Sequence, residues 1–142
     1  MSGLPEGLSS PWRCLVVDDS ELIRRILSDA LGHIPGLAVD GASDGQEALD
    51  RCAHHTYDLV FTDRDMPRLD GLGFVSELRK VRAYDAVSVV MVSTEADPEA
   101  QAEALGVGVS VYLCKPVRAA EIVSLACTLL KIPAGHARAL AL

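Results

Sequence analysis

The 142-residue chain is poor in basic charge: 13 Lys and Arg stand against 20 Asp and Glu, a formal net charge of -7. That balance excludes a protein that grips a nucleic-acid backbone, which needs a basic face. It suits solubility, or a bound cation. The four cysteines, Cys14, Cys52, Cys114 and Cys127, include no C-x-x-C and no Cys/His spacing of the zinc type. They are expected to act as small buried hydrophobes in a reducing compartment. Nowhere do about 18 apolar residues run uninterrupted, and the opening M-S-G-L-P-E-G-L-S-S-P lacks a basic n-region and a long apolar core. No membrane insertion is expected, and the cytoplasm is the expected location. There is no G-x-x-x-x-G-K-[ST], and Gly71, Gly73, Gly106 and Gly108 complete no dinucleotide fingerprint. A nucleotide held by this chain is therefore not expected.

What is present is a core. With 49% hydrophobic residues the chain fits one domain rather than two small ones. Residues 1–11 have the composition of a loose leader, 12–131 form the expected domain, and 132–142 form a plain tail. Continuous apolar runs at 14–17, 37–42, 58–62, 87–92 and 109–114 predict strands. Helical periodicity predicts helices over 20–31, capped by Ser20 and stopped by Gly32, and over 43–52, with Ala48, Leu49 and Cys52 inward. A third spans 71–81, with Leu72, Phe74, Val75 and Leu78 inward, and a fourth runs from Asp97 or Pro98 to Leu105, where Gly106 breaks it. The fifth spans 117–131, with Ile122, Leu125, Ala126 and Leu129 on one face and Val123, Cys127 and Leu130 left for a docking surface or a tail contact. Strands that are apolar on both sides, alternating with helices, belong to a parallel sheet covered on two faces, a doubly wound α/β fold. Ligands of such folds sit at the carboxyl ends of the strands.

Those ends carry chemistry. They hold Asp18 and Asp19, Asp63, Ser93 with Thr94, and Lys115. Each has an ordinary structural alternative: Asp18 and Asp19 can cap a helix, Asp63 can serve loop amides, and Lys115 can be a solvated strand end. Their joint placement on five-stranded architecture favours a shared site. Two carboxylates about 4 Å apart at an effective dielectric near 20 repel by roughly 4 kcal/mol, so three together need a cation or must keep a proton. All-oxygen donors without nearby His or Cys favour magnesium over a full calcium cage. With that charge offset, Asp63 can act as a nucleophile toward phosphorus, while Lys115 and Ser93 neutralise phosphoryl oxygens.

The segments V-V-D-D-S, D-L-V-F-T-D-R-D-M-P-R-L-D-G, M-V-S-T-E-A and Y-L-C-K-P-V resemble the receiver domain of two-component response regulators, of the CheY-like kind, over about residues 13–131. The resemblance implies a (βα)5 flavodoxin-like fold with strand order 2-1-3-4-5, which the pattern alone does not reveal. It implies that Asp63 is the phosphoacceptor, that Asp19 and Asp63 ligate magnesium directly, that Asp18 acts through water and that the Asp65 backbone carbonyl adds a ligand. It gives Ser93 a phosphoryl oxygen to bind, Lys115 an ion pair with the phosphate, and Tyr112 the part of an aromatic switch. Lys115-Pro116 matches a peptide bond that is typically cis in the family. Arg64, Asp65 and Glu95 depart from the commonest pattern, and an anion at 65 or 95 should discourage small anionic donors. Val117 replaces a frequent aromatic.

The function expected from this resemblance is a stand-alone receiver, not an enzyme in its own right. A sensor histidine kinase or histidine phosphotransfer protein would load Asp63, and a protein effector would bind the face of helix four, strand five and helix five, in chemotaxis or motility. The alternatives are a phosphorelay intermediate or phosphate sink, and a scaffold independent of phosphorylation.

Overall fold

The computed structural model describes residues 11–132. The expected leader and tail therefore lie outside the described residues, except for Pro11 and Ile132. Five strands and five helices alternate: β1 (Trp12–Val17), α1 (Glu21–Leu31), β2 (Leu37–Ala42), α2 (Gly45–His54), β3 (Leu59–Asp63), α3 (Gly71–Leu78), β4 (Ser88–Ser93), α4 (Pro98–Val107), β5 (Val111–Cys114) and α5 (Ala119–Leu130). All four strand pairings are parallel, and the sheet order is 2-1-3-4-5. The fold class and strand order are thus those expected.

Alternation along the strands explains the two layers. Cys14 and Val16 of β1 and Phe61 of β3 pack with Leu27, Leu31, Ile122 and Ala126 on the α1 and α5 side. Leu15, Val17 and Val60 face the other way, against Ala48, Phe74, Leu78 and Ala104 of α2, α3 and α4. Every residue of β3 is buried. Successive residues point to opposite, equally covered faces, so Leu59, Val60 and Phe61 are apolar in a row, and only Thr62 and Asp63, at the carboxyl end, are polar. Truncating a residue such as Phe61 to Ala would cost about 3–5 kcal/mol by the usual cavity effect.

Several boundaries differ from the sequence expectations. The second helix begins at Gly45, because Asp44 and not Ser43 caps it, accepting a hydrogen bond from the Glu47 amide. The third helix ends at Leu78, followed by a single 3-10 turn over Arg82–Tyr84. The fourth runs through Gly106 and stops at Gly108, whose φ of 114° suits glycine and whose carbonyl accepts from Arg79. Strand β5 starts two residues later than the apolar run, and α5 spans 119–130.

The apolar stripe of α1 is also wider than the arc the sheet can cover. Leu22 is 65% and Ile26 47% exposed, while Leu27, Ala30 and Leu31 are buried. On α5, Val123 and Cys127 lie in the core rather than on a docking surface, and Ile132 packs beside them. Cys14, Cys52 and Cys127 are buried as expected; Cys114, at the end of the edge strand, is exposed. Among the described residues no helix is long and apolar enough to cross a membrane.

Candidate functional site

Parallel pairing places the carboxyl ends of β1, β3, β4 and β5 on one edge. Val17 is level with Thr62, Asp63 with Val92, and Ser93 with Cys114. The residues that follow or close these strands are Asp18 and Asp19, Asp63, Ser93 and Lys115. Each chain segment arrives as a rigid strand, so the functional groups are set by the sheet and not by long loops. A backbone hydrogen bond of 2.7 Å from the Lys115 amide to the Ser93 carbonyl ties the last two together.

Asp18, Asp19 and Asp63 each offer a carboxylate oxygen within 4.8 Å of the others. Asp18 and Asp63 are buried and Asp19 is exposed, so the cluster opens to solvent on one side. Lys115 Nζ lies 3.0 Å from Asp63 Oδ1 and 3.5 Å from Asp18 Oδ2. One ammonium thus reaches two of the three carboxylates. Burial pushes the Asp63 pKa up and the charge on Asp18 adds to it, outweighing the opposing pull of Lys115. For Lys115 burial favours the neutral amine, but bonding to Asp63 and the field of Asp18 win, so it holds its proton more tightly than usual. The cluster is short of positive charge, and its all-oxygen donors can hold a hard cation.

Asp18 also has a structural part. Its Oδ1 accepts from the Ser20 amide at 2.9 Å, Ser20 in turn caps α1, and Arg24 donates to the Asp18 carbonyl at 2.7 Å. Ser20, and not Asp18 or Asp19, therefore caps α1, and the two oxygens of the Asp18 carboxylate serve different neighbours, the Ser20 amide and Lys115.

The floor of the site is backbone on backbone. The Gly71 amide donates to the Arg64 carbonyl at 2.8 Å, and a Cβ on Gly71 would stand 2.2 Å from the Asp63 carbonyl oxygen. No side chain fits there. Asp70 caps α3 through the Gly73 amide at 2.8 Å, fixing that close approach.

Ser93 is buried at the same edge, and its hydroxyl accepts from the Glu95 amide at 3.0 Å; Thr94 is exposed. Tyr112 is turned inward, donating from its hydroxyl to the Glu95 carbonyl at 2.7 Å. The Lys115-Pro116 bond is cis, as expected. Val117 lines a shallow apolar depression beside Lys115 with Ile23, Ile26, Leu27, Val92 and Pro116. Asp65 is exposed on the loop after β3.

Two features escaped the sequence. Glu95 is not the uncompensated anion expected, because its carboxylate pairs with Arg64 Nε at 3.0 Å. Asp44, buried at the end of β2, accepts two hydrogen bonds from Arg68, at 2.8 and 3.1 Å, besides capping α2. The only local signal for Asp44 was its place before a helical pattern; Arg68 is 24 residues away.

Residues 14–126 match the model of the response regulator receiver domain. The gliding motility regulatory protein of Myxococcus xanthus is 37% identical over 115 residues, 79% of this chain and 14% of that protein. A protein-glutamate methylesterase/protein-glutamine glutaminase of Symbiobacterium thermophilum is 39% identical over 116 residues, 80% of this chain and 31% of that protein. The chain therefore spans less than a third of the length of these relatives. Among solved structures, the chemotaxis response regulator CheY4 of Vibrio cholerae superposes with a TM-score of 0.78 at 31% identity, covering 83% of this chain and 98% of that one. The receiver domain of the Francisella response regulator 1452 gives 0.77 at 30% identity, over 84% and 96% of the two chains. The match of 113 contiguous positions and the shared sheet order leave one assignment: the chain belongs to the response regulator receiver domain family, of the CheY-like kind, whose members are phosphoacceptor signalling domains.

Proposed function

We propose that Asp63 accepts a phosphoryl group from the phosphohistidine of a sensor histidine kinase or a histidine phosphotransfer protein. The observation that carries this reading is the convergence of Asp18, Asp19 and Asp63 within 4.8 Å, with Lys115 Nζ 3.0 Å from Asp63 Oδ1. Only at this edge, among the described residues, do three potential metal-ligating side chains meet.

Magnesium fits this donor set: Asp19 and Asp63 would hold it directly with the Asp65 carbonyl, and Asp18 through water. Bound there, the ion supplies the positive charge that the crowded carboxylates lack and that the phosphoryl oxygens require. The chain's own groups do the rest. An Asp63 carboxylate oxygen forms a bond to phosphorus as the phosphorus-nitrogen bond of the phosphohistidine breaks, its electron pair staying on the imidazole nitrogen. Lys115 moves its hydrogen bond from Asp63 to a phosphoryl oxygen. Ser93 gives up the Glu95 amide and donates its hydroxyl to another. Attack by water on phosphorus later releases inorganic phosphate and restores the Asp63 carboxylate.

The shift of Ser93 is the source of the signal. Glu95 is bonded to both Ser93 and Tyr112, so a change at Ser93 reaches the surface of α4, β5 and α5. We infer that a protein effector reads this surface, in the cytoplasm, in the control of motility or chemotaxis; the names of the Myxococcus and Vibrio relatives support that setting.

The test is transfer from a radiolabelled histidine kinase or phosphotransfer protein with magnesium present. The wild-type chain is expected to take the label, and Asp63→Asn to take none above background. Label retained on Asp63→Asn would overturn the assignment.

A further inference from the structure

Arg64 follows Asp63 directly, yet its side chain takes no part in the cluster around Lys115. Its side chain turns to the other side and is 8% exposed. There it makes three kinds of bond to two later segments. Nε pairs with the Glu95 carboxylate at 3.0 Å, one terminal nitrogen donates to the Ala100 carbonyl at 2.9 Å, and the other binds the Glu103 carboxylate. Ala100 lies in the first turn of α4, the turn that Asp97 caps through the Ala100 amide at 3.0 Å. Asp97, Glu99 and Glu103 rim the depression over the guanidinium.

One rigid fork therefore fastens the end of β3 to the β4–α4 loop and to α4. Burial works against its charge, but the adjoining Tyr112 hydroxyl and the Glu103 carboxylate outweigh burial and hold the proton more firmly than usual. A lysine offers one point charge on a flexible stem and cannot span three such partners. The bond to Glu95 matters most, since the same residue accepts from Tyr112 at its carbonyl and donates to Ser93 at its amide. Whatever holds Glu95 holds the hydroxyl that would bind phosphoryl oxygen and the inward aromatic ring of Tyr112 beneath the α4 and β5 surface.

We propose that Arg64 is the positioning residue of the switch: by pinning Glu95 and α4 to the acceptor strand, it fixes the carbonyl on which the Tyr112 hydroxyl docks and so favours the inward position of that ring. The proposal rests on the reading of Asp63 as acceptor for its consequence, though not for its geometry. Without Arg64 the 94–97 segment would lose its side-chain tie to β3 and keep only the backbone bonds of Glu95, Tyr112 would exchange between inward and outward positions, and loading of Asp63 would have to recapture it. An equilibrium set by that recapture weakens binding at Asp63 to the same degree.

The chain has three tyrosines, so fluorotyrosine labelling yields three fluorine resonances, and Tyr112→Phe assigns the one of interest. In the free protein the wild-type Tyr112 signal is expected at a single buried position. It should move toward the solvent-exposed value in Arg64→Met and in Glu95→Ala, with a smaller displacement in Glu103→Ala. Arg64→Lys should restore only part. The double variant Arg64→Met/Glu95→Ala should be no more displaced than Arg64→Met alone, because Arg64→Met already breaks the tie to Glu95. Binding of magnesium with beryllofluoride should weaken about tenfold in Arg64→Met, within the usual range of coupling between sites.

A general loss of packing would lower the melting temperature without this non-additivity. Should Arg64→Met fail to fold, Glu95→Ala and Glu103→Ala, whose side chains are 49% and 61% exposed, carry the same test. The proposal is overturned if these variants leave the Tyr112 resonance in place, or if the two displacements simply add. Failure of the wild-type chain to bind beryllofluoride would instead overturn Asp63 as acceptor, and the free-protein resonance would still decide the role of Arg64.

Discussion

Asp44 and Asp63 stand at the same edge of the sheet, after β2 and at the end of β3, both buried and both hydrogen-bonded to one basic side chain. Their carboxyls are nevertheless driven in opposite directions. Arg68 and the amides at the start of α2 satisfy Asp44 and hold its pKa below the ordinary carboxylate range, against a modest opposing effect of burial. For Asp63, burial and Asp18 outweigh Lys115, and the pKa rises. A buried carboxylate with a full set of donors is a structural cap; one that shares a single ammonium with a second carboxylate, beside a third, is kept short of partners. That shortage is what would make Asp63 available to the cation and the electrophile of the proposed function.

Removing each aspartate's cation would stretch this contrast furthest. Lys115→Met strands three carboxylates around one buried site, and in metal-free buffer it should destabilise the chain by about 2 kcal/mol, less than the full cost of orphaning a buried charge because the ammonium is partly exposed. Arg68→Met, by contrast, removes an exposed arginine and leaves Asp44 with its backbone donors, so chemical unfolding should detect a smaller loss. Equal losses would abolish the distinction between the two sites.

Removing the charges themselves should give opposite signs. Asp63→Asn relieves the crowding and is expected to raise the metal-free melting temperature by about 3 °C, on the order of 1 kcal/mol. Asp44→Ala should lose a helix cap worth about 1 kcal/mol, whereas Asp44→Asn keeps an acceptor and loses only part of that. A melting temperature that falls in Asp63→Asn would contradict the account given for its pKa.

The smallest effect lies in the acid limb. Because Asp44 and Glu47 have lowered pKa values, the native state binds fewer protons than the unfolded chain between the lowered and the ordinary carboxylate values. Their contribution is complete above the ordinary value and disappears as pH falls through the lowered one. Stability measured from pH 6 downward, an interval of roughly the usual carboxylate titration, should therefore fall less steeply in Asp44→Asn than in the wild type. Parallel curves would mean that Asp44 does not contribute to that slope.

The difference between these aspartates also shows how far the sequence could be followed. Asp63, Asp18, Ser93 and Lys115 were legible because each ends an uninterrupted apolar run, and a parallel sheet delivers all such ends to one edge. Asp44 was passed over, since its arginine comes from a loop 24 residues on. Arg64 was visible only as the neighbour of Asp63. That its fork turns away, toward groups 31, 36 and 39 residues later, is a fact of packing between β3 and α4 and has no local pattern. Likewise Gly106 and Gly108 are equivalent as text; the helix stops at the second because Arg79 engages its carbonyl there. Leu22 and Ile26 fitted the helical period but lie at the flank of the face that the sheet covers.

Gly71 gives the site a mechanical direction. On the α3 side, the Asp63 and Arg64 backbones rest against another backbone with no side chain between them, a contact that cannot compress or rotate. On the α4 side, Ser93, Glu95, Arg64 and Tyr112 are linked through side-chain and loop hydrogen bonds that can be exchanged one for another. The strand end is therefore stiff toward one helix and compliant toward the other.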